Sequence, residues 1–293
     1  MKVLVIGATG MLGYSLFTNL TEVNQLEVYG TVRSLTAKEH YFSKYADKIV
    51  LNIDVNDDVS IKSAFETVRP DVVLNCVGLI KQHDVSKQHI AAIEINALLP
   101  HKLASFCDSF GAKLIHFSTD CVFDGAKGGY SESDEPNASD LYGKSKCLGE
   151  VSYGNHLTLR TSIIGHELNS SVSLVDWFLS QSVSVKGFSK AIFSGLPTSY
   201  IAKILAENIL PRKDLVGLFN LSVEPIDKYS LLRLIAEKYG KEIEIEESDQ
   251  LVIDRSLNST KLRKEISLDV PKWEELIDFM YEDYAKRYKN EKA

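Results

Sequence analysis

Basic character, paired cysteines and long apolar runs are all scarce in this chain, and each absence closes off a class of protein. Lysine and arginine number 33 against 40 aspartates and glutamates, a net charge of -7 over 293 residues. Proteins that hold nucleic acid or lie on a membrane surface usually carry a basic patch or stripe. Neither partner is expected, and any anionic ligand must be met by a local site. The cysteines, Cys76, Cys107, Cys121 and Cys147, form no Cys-x-x-Cys pair and have no histidine at zinc-ligand spacing. Small buried thiols are expected rather than a metal site or a disulfide framework. The apolar run at the start, Val3-Leu4-Val5-Ile6, stops at Gly7, far short of a secretory core or a membrane span; a cytoplasmic location is expected.

What is present is the composition of a globular protein, 44% hydrophobic and 25% charged, with enough chain for one large or two modest domains. Strand-like apolar runs at Lys2–Ile6, Glu27–Val32, Ile49–Ile53, Val72–Val77, Leu114–Phe117 and Leu157–Arg160 alternate with helical spacing at Leu12–Leu20, Val59–Val68 and Ile90–Phe110. Pro100 is expected to kink the last of these. This βαβ rhythm predicts a Rossmann-like, doubly wound parallel sheet. After about Gly165 helices dominate, at Ser173–Gln181, Ser199–Asn208, Lys228–Tyr239 and Trp273–Tyr288, with strand candidates at Leu218–Leu221 and Glu242–Glu246. The expected architecture is α/β: a first domain over 1–165 that regains about 196–222, and a smaller interleaved C-terminal α/β lobe within 166–293.

Directly after the first strand, Gly7-Ala8-Thr9-Gly10-Met11-Leu12-Gly13 opens a helix with Gly-x-x-Gly-x-x-Gly spacing. Glycines permit a tight turn and close backbone approach, and a helix N-terminus suits a pyrophosphate. The second strand ends at Arg33-Ser34, where an acidic residue would receive a ribose 2′-hydroxyl and an Arg instead suits a 2′-phosphate. That favours NADPH and leaves NADH open. Asp54 and Val55 are placed for the adenine, and Cys76, Val77 and Gly78 for backbone passing the cofactor ribose. Asn96, on the following helix, reads at least as readily as a buried group satisfying backbone as it does as a catalytic residue.

A second constellation is Phe117-Ser118-Thr119-Asp120-Cys121-Val122-Phe123-Asp124-Gly125 followed by Tyr142-Gly143-Lys144-Ser145-Lys146. Thr119 ends a buried strand, and in open α/β sheets such ends line the ligand crevice. Tyr142 and Lys146 share a helix face, so the ammonium is expected to lower the phenol's pKa and ready it for proton transfer to a carbonyl. With 13 tyrosines, a Tyr-x-x-x-Lys match arises by chance about once. The other instance, Tyr288 with Lys292, reads as a solvated, charged helix end.

Ser118-Thr119-Asp120-x-Val122-Phe123-Asp124-Gly125, then Tyr130, Glu132, Asp134 and Pro136, then Tyr142-Gly143-x-Ser145-Lys146-x-x-Gly149-Glu150 resembles the extended short-chain dehydrogenase/reductases, and among them the dTDP-4-dehydrorhamnose reductase-like proteins. Arg160-Thr161, Gly195-x-Pro197-Thr198 and Arg255-x-x-Asn258-x-x-Lys261-Leu262 extend the resemblance over nearly the whole chain. It implies a catalytic Thr119, Tyr142 and Lys146, with Tyr142 and Lys146 also on the cofactor. The implied reaction is NADPH-dependent reduction of the C4 keto group of a nucleotide-linked 4-keto-6-deoxy-hexose for bacterial surface polysaccharide such as O-antigen. The implied partner is a nucleotide-diphosphate sugar, in a monomer or a homodimer. Asp120, Cys121, Val122, Phe123, Trp177, Arg255 and Asn258 are the candidates for substrate contact; Phe178 and Phe193 read either as pocket lining with Trp177 or as core, as aromatics at helical spacing more often are, and Lys81 and His83 either reach in from a loop or belong to a solvated one.

Cys121 stands where rhamnose-pathway enzymes typically have Tyr, and the segment from Arg160 to Ser194 differs from theirs. The pattern is closer to reductases of UDP-linked 2-acetamido-2,6-dideoxy-hexos-4-uloses. Family dehydratases carry a Glu after the Thr-Asp pair, which Cys121 does not supply. A nucleotide-sugar epimerase and a non-catalytic NADP-binding regulatory subunit remain as alternatives.

Overall fold

In the computed structural model of the protein, residues 1–79 and 88–289 are described; Lys81, His83 and Lys292 lie outside them. Strands in chain order are β1 (Lys2–Ile6), β2 (Glu27–Thr31), β3 (Ile49–Val50), β4 (Val72–Asn75), β5 (Lys113–Thr119), β6 (Leu157–Thr161) and β7 (Ile163–Ile164). They continue as β8 (Ser184–Phe188), β9 (Ala191–Phe193), β10 (Leu196–Pro197), β11 (Gly217–Asn220), β12 (Ile226–Asp227), β13 (Glu244–Ser248) and β14 (Ile253–Asp254). Helices of the first half are α1 (Met11–Thr21), α2 (Glu39–Phe42), α3 (Asp58–Val68), α4 (His89–Ala92), α5 (Leu99–Phe110) and α6 (Leu141–Leu148). Those of the second half are α7 (Leu174–Ser180), α8 (Thr198–Ile204), α9 (Lys228–Tyr239), α10 (Thr260–Glu265) and α11 (Trp273–Arg287).

Seven strands form one parallel sheet in the order β11-β6-β5-β4-β1-β2-β3. Apolar clusters cover both faces, one holding Val3, Val5, Phe17 and Ile115, the other Leu4, Ile6, Phe65 and Leu114. That division follows from the pleat: alternate residues of the continuous runs in β1 and β5 point to opposite faces, so both faces need helices. Strand order reverses between β1 and β4, which opens the crevice where ligands of such sheets bind. After β6 the chain leaves the sheet, returns once to lay β11 beside β6, and leaves again. The small sheets β10-β7, β12-β9-β14 and β13-β8 gather the remaining strands.

One element follows the sequence expectation and one departs from it, each for a local cause. The helical run over Ile90–Phe110 is interrupted just ahead of Pro100, where α4 gives way to a π-helical stretch at Ile93–Leu98 before α5 begins. The C-terminal helix does not end in solvent. Tyr288 is 1% exposed, edge-on to Tyr14 of α1 at 5.4 Å, while the Arg287 guanidinium meets Asp283, Asn19 and Glu22. Asp283, Lys286 and Arg287 of α11 are partners of Asn19 and Glu22 at the end of α1, so the last helix seals the first.

Candidate active site

The turn after β1 is shaped by what a side chain would strike. Gly7 has φ +86°, and a Cβ there would lie 2.6 Å from Val77 Cγ2. A Cβ on Gly13 would come to 2.1 Å from the Gly7 carbonyl oxygen. Bare backbone is therefore what allows α1 to start against β1. Gly10 occupies the N-cap and offers no side-chain cap, so the leading N–H groups of α1, from Met11 and Leu12, keep the capacity for an anion. Thr31, which sequence reasoning missed because it reads as an ordinary strand residue, pins the turn: its hydroxyl accepts from Gly7 N at 3.2 Å and its carbonyl from Ala8 N at 2.9 Å.

A cleft of about 360 Å³ opens here, lined by Gly7, Thr9, Arg33, Asp54, Val55 and Val77 among others. Arg33 and Ser34 are exposed at its rim, and Ser34 Oγ accepts from Thr36 N at 3.1 Å. Asp54 accepts from Asn56 N at 3.0 Å. Cys76 is half-buried, and burial pushes its thiol well above the usual range. A larger groove of about 780 Å³ lies between α9, β13 and the start of α11, lined by residues such as Tyr229, Arg233 and Trp273. No residue singled out from the sequence for a site lines it, whereas Gly7, Thr9, Arg33, Asp54, Val55 and Val77, singled out for the cofactor, line the smaller cleft.

Gly78 joins that cleft to the reactive groups: a Cβ on it would stand 3.6 Å from Asn96 Oδ1 and 3.9 Å from Lys146 Nζ. Asn96 is buried and clamps the segment after β4, accepting from Leu79 N at 2.9 Å and donating to Leu79 O at 3.2 Å and Ser145 Oγ at 3.2 Å. Of its two readings, the backbone-satisfying one is observed. Ser145 donates in turn to Tyr142 O at 3.0 Å. Asp140 caps α6 by accepting from Gly143 N at 2.9 Å. The helix start is thereby held against the turn after β5.

Thr119, Tyr142 and Lys146 meet there. Tyr142 is half-buried with Thr119, Cys121 and Asp120 close enough to act on its phenol. Thr119 Oγ1 donates to Asp120 Oδ1 at 3.0 Å and accepts from Cys121 N at 3.1 Å. Burial raises the pKa of the Asp120 carboxyl, against the hydrogen bonds from Thr119 and Cys121 and the charge of Arg255. Lys146 Nζ donates to Phe117 O at 2.7 Å, and burial lowers its pKa to about 8. The expected lowering of the Tyr142 phenol is not what the structure shows: burial, with Cys121 and Asp120 beside it, pushes it up. The ammonium is spent on a backbone carbonyl, while the would-be phenolate sits in a desolvated site among acidic neighbours.

Around this centre the signature residues divide. Val122 and Phe123 are fully buried and pack with Tyr130 and Leu257, so they support the turn from behind rather than line it. Arg255 donates from Nε to Phe123 O at 2.8 Å, and its charge acts on both Asp120 and Cys121. Burial pushes the Cys121 thiol up to about 12. Asn258 is exposed, and its Oδ1 accepts from Thr260 N at 2.9 Å just ahead of α10. Phe178 and Phe193 are core residues, Phe193 meeting Trp273 at 5.7 Å. Trp177 is 37% exposed on α7, and no contact ties it to Thr119 or Tyr142.

With the glycine turn on one side of the crevice and Thr119 a strand beyond β4, the chain has the build of an extended short-chain dehydrogenase/reductase. It belongs to the RmlD substrate binding domain family, whose sequence profile matches residues 1–286. Methionine adenosyltransferase 2 subunit beta of Danio rerio is 28% identical over 252 residues, 82% of this chain and 74% of that protein. A dTDP-4-dehydrorhamnose reductase of Burkholderia thailandensis is 31% identical over 167 residues, 55% of this chain and half of its own length, 50%. The crystal structure of dTDP-4-dehydrorhamnose reductase from Bacillus anthracis in complex with NADP superimposes with a TM-score of 0.78 over 96% of this chain and 99% of that one, at 20% identity.

Proposed function

We propose that the protein is an NADPH-dependent reductase of the C4 keto group of a nucleotide-linked 4-keto-6-deoxy-hexose, able to accept NADH as the lesser cofactor. The observation that carries this is the convergence of Thr119, Tyr142 and Lys146 beside Gly78, at the mouth of a glycine cradle. The cradle fits a dinucleotide: Gly7 and Gly13 let α1 begin tight against β1, and the α1 N-terminus is uncapped. The NADP carried by the structurally similar Bacillus anthracis reductase supports the same reading.

Bound there, the reduced nicotinamide supplies a hydride. The chain's own part is the proton. Tyr142 is kept protonated by burial, so its O–H is available to the alkoxide oxygen as charge develops. Thr119, whose O–H now donates to Asp120 Oδ1, turns that donor to the same oxygen and holds the carbonyl in line. Lys146 places a buried cation beside them through its bond to Phe117 O. Arg255, half-buried with its charge turned towards Asp120 and Cys121, is suited to the diphosphate of the substrate. Cys121, smaller than the Tyr of rhamnose-pathway enzymes, leaves room for a bulkier sugar, consistent with a UDP-linked 2-acetamido-2,6-dideoxy-hexos-4-ulose made for surface polysaccharide in the cytoplasm.

The regulatory-subunit alternative has a specific observation in its favour, the similarity to methionine adenosyltransferase 2 subunit beta over 82% of the chain. One assay separates the three: NADPH is incubated with dTDP- and UDP-linked 4-keto sugars. Stoichiometric loss of reduced cofactor with formation of the alcohol is expected. Conversion without net oxidation identifies an epimerase, and binding with no chemistry a regulator.

A further inference from the structure

Below the proposed catalytic groups lies a buried ion pair that the chemistry above does not use. Glu150 follows α6 eight positions after Tyr142 and four after Lys146. Its carboxylate accepts from Arg160 Nε and Nη2, each at 2.7 Å, and from Ser118 Oγ at 2.7 Å. The Arg160 and Glu150 side chains are 3% and 8% exposed. Arg160 also lies over the Phe123 ring at 5.2 Å, and Phe123 stacks on Tyr130 at 4.1 Å. One carboxylate therefore ties together β5, the residue before Thr119, the end of α6 and the end of β6.

We propose that Glu150 is a positioning residue of the Thr119–Tyr142–Lys146 site: gripped by Arg160, it holds Ser118 and hence Thr119 in place, and it is the counter-charge of the Lys146 ammonium. The inference rests on the reductase reading for its kinetic consequence only. Among the described residues, the turn packed on α6 carries Asp120 and Cys121, whose pKa values burial raises. His116 on β5 is buried and held neutral by desolvation and the Lys146 charge. His101, on α5, acts on His116 from further out. Tyr142 on α6 stays protonated, and Arg160 on β6 is engaged with Glu150. Burial lowers the Lys146 pKa to about 8, and Glu150 is the group working against that fall. An opposite charge favours the ionised form, so without Glu150 the ammonium loses its proton at lower pH.

The test is Glu150→Gln in the full chain, read by the pH dependence of kcat and by titration of the Lys146 Nζ signal in 15N-lysine-labelled protein, assigned with Lys146→Arg. The expected result is a Lys146 midpoint moved towards neutrality and a loss in kcat of about tenfold on the alkaline side, regained in mild acid. Glu150→Asp, which keeps the charge, should restore the titration. An unmoved midpoint, or a loss equal at every pH, overturns the proposal. A moved midpoint in a protein whose wild type reduces no 4-keto sugar sustains the Glu150–Lys146 coupling and overturns the reductase reading alone. Should Glu150→Gln not fold, Ser118→Ala tests the other arm: kcat falls about tenfold with the Lys146 titration unchanged, and wild-type kcat overturns it.

Discussion

The α-carbon of Gly143 faces the carbonyl oxygen of Cys121 so closely that a Cβ there would lie 2.2 Å from it. This contact brings the first turn of α6, with Tyr142, onto the turn that carries Thr119. Gly143→Ala should force the two apart, lower the melting stability by about 1–3 kcal/mol and cut kcat by about 100-fold. Thermal unfolding and steady-state kinetics together check it; a variant with normal kcat would show that the close approach serves packing alone.

Tyr142→Phe removes only the phenolic O–H. Turnover is expected to fall by about 100-fold or more, while NADPH affinity, measured by quenching or enhancement of cofactor fluorescence, stays within about twofold. Near wild-type turnover would dismiss Tyr142 as the acid.

Lys146 carries a stability cost with a definite pH window. Its pKa is about 8 in the folded protein against 10.5 ordinarily. Between those values the unfolded chain binds more protons, so stability rises with pH across the window, and below it the buried cation costs up to about 3 kcal/mol. Lys146→Met should therefore melt higher than wild type at neutral pH and lose that advantage as the pH approaches the upper value, while turnover is lost throughout. A destabilised Lys146→Met at neutral pH would contradict this.

At the cofactor rim, Arg33→Ala should weaken NADPH by about tenfold and leave NADH nearly unaffected, since a charge-assisted bond to a phosphate contributes about 1.5–3 kcal/mol. Equal losses for both cofactors, measured by titration, would remove Arg33 from the 2′-phosphate site.

Legibility tracked how local each signal was. The glycine turn could be read directly, because Gly7, Gly10 and Gly13 follow a run of apolar residues and open a helix, and steric need alone explains them. Phe178 and Phe193 followed helical and strand spacing into the core as such aromatics usually do. The burial of Tyr288 was not legible because its partner, the Tyr14 ring, is set by the docking of a distant element. Thr31 carries no local mark of its role, which exists only because β2 lies beside β1.

Sequence by itself determined the parallel-sheet rhythm, the cradle and the identity of the Thr, Tyr and Lys, since these depend on periodicity, on the steric freedom of glycine and on residue chemistry. Only the tertiary structure decided how those groups are poised. Burial raised the phenol that helical spacing alone would have lowered, Phe117 O took the Lys146 ammonium, and Arg160 arrived from β6 to hold Glu150. Desolvation and long-range partners set the charge states of a site, and neither is carried by the spacing of residues along the chain.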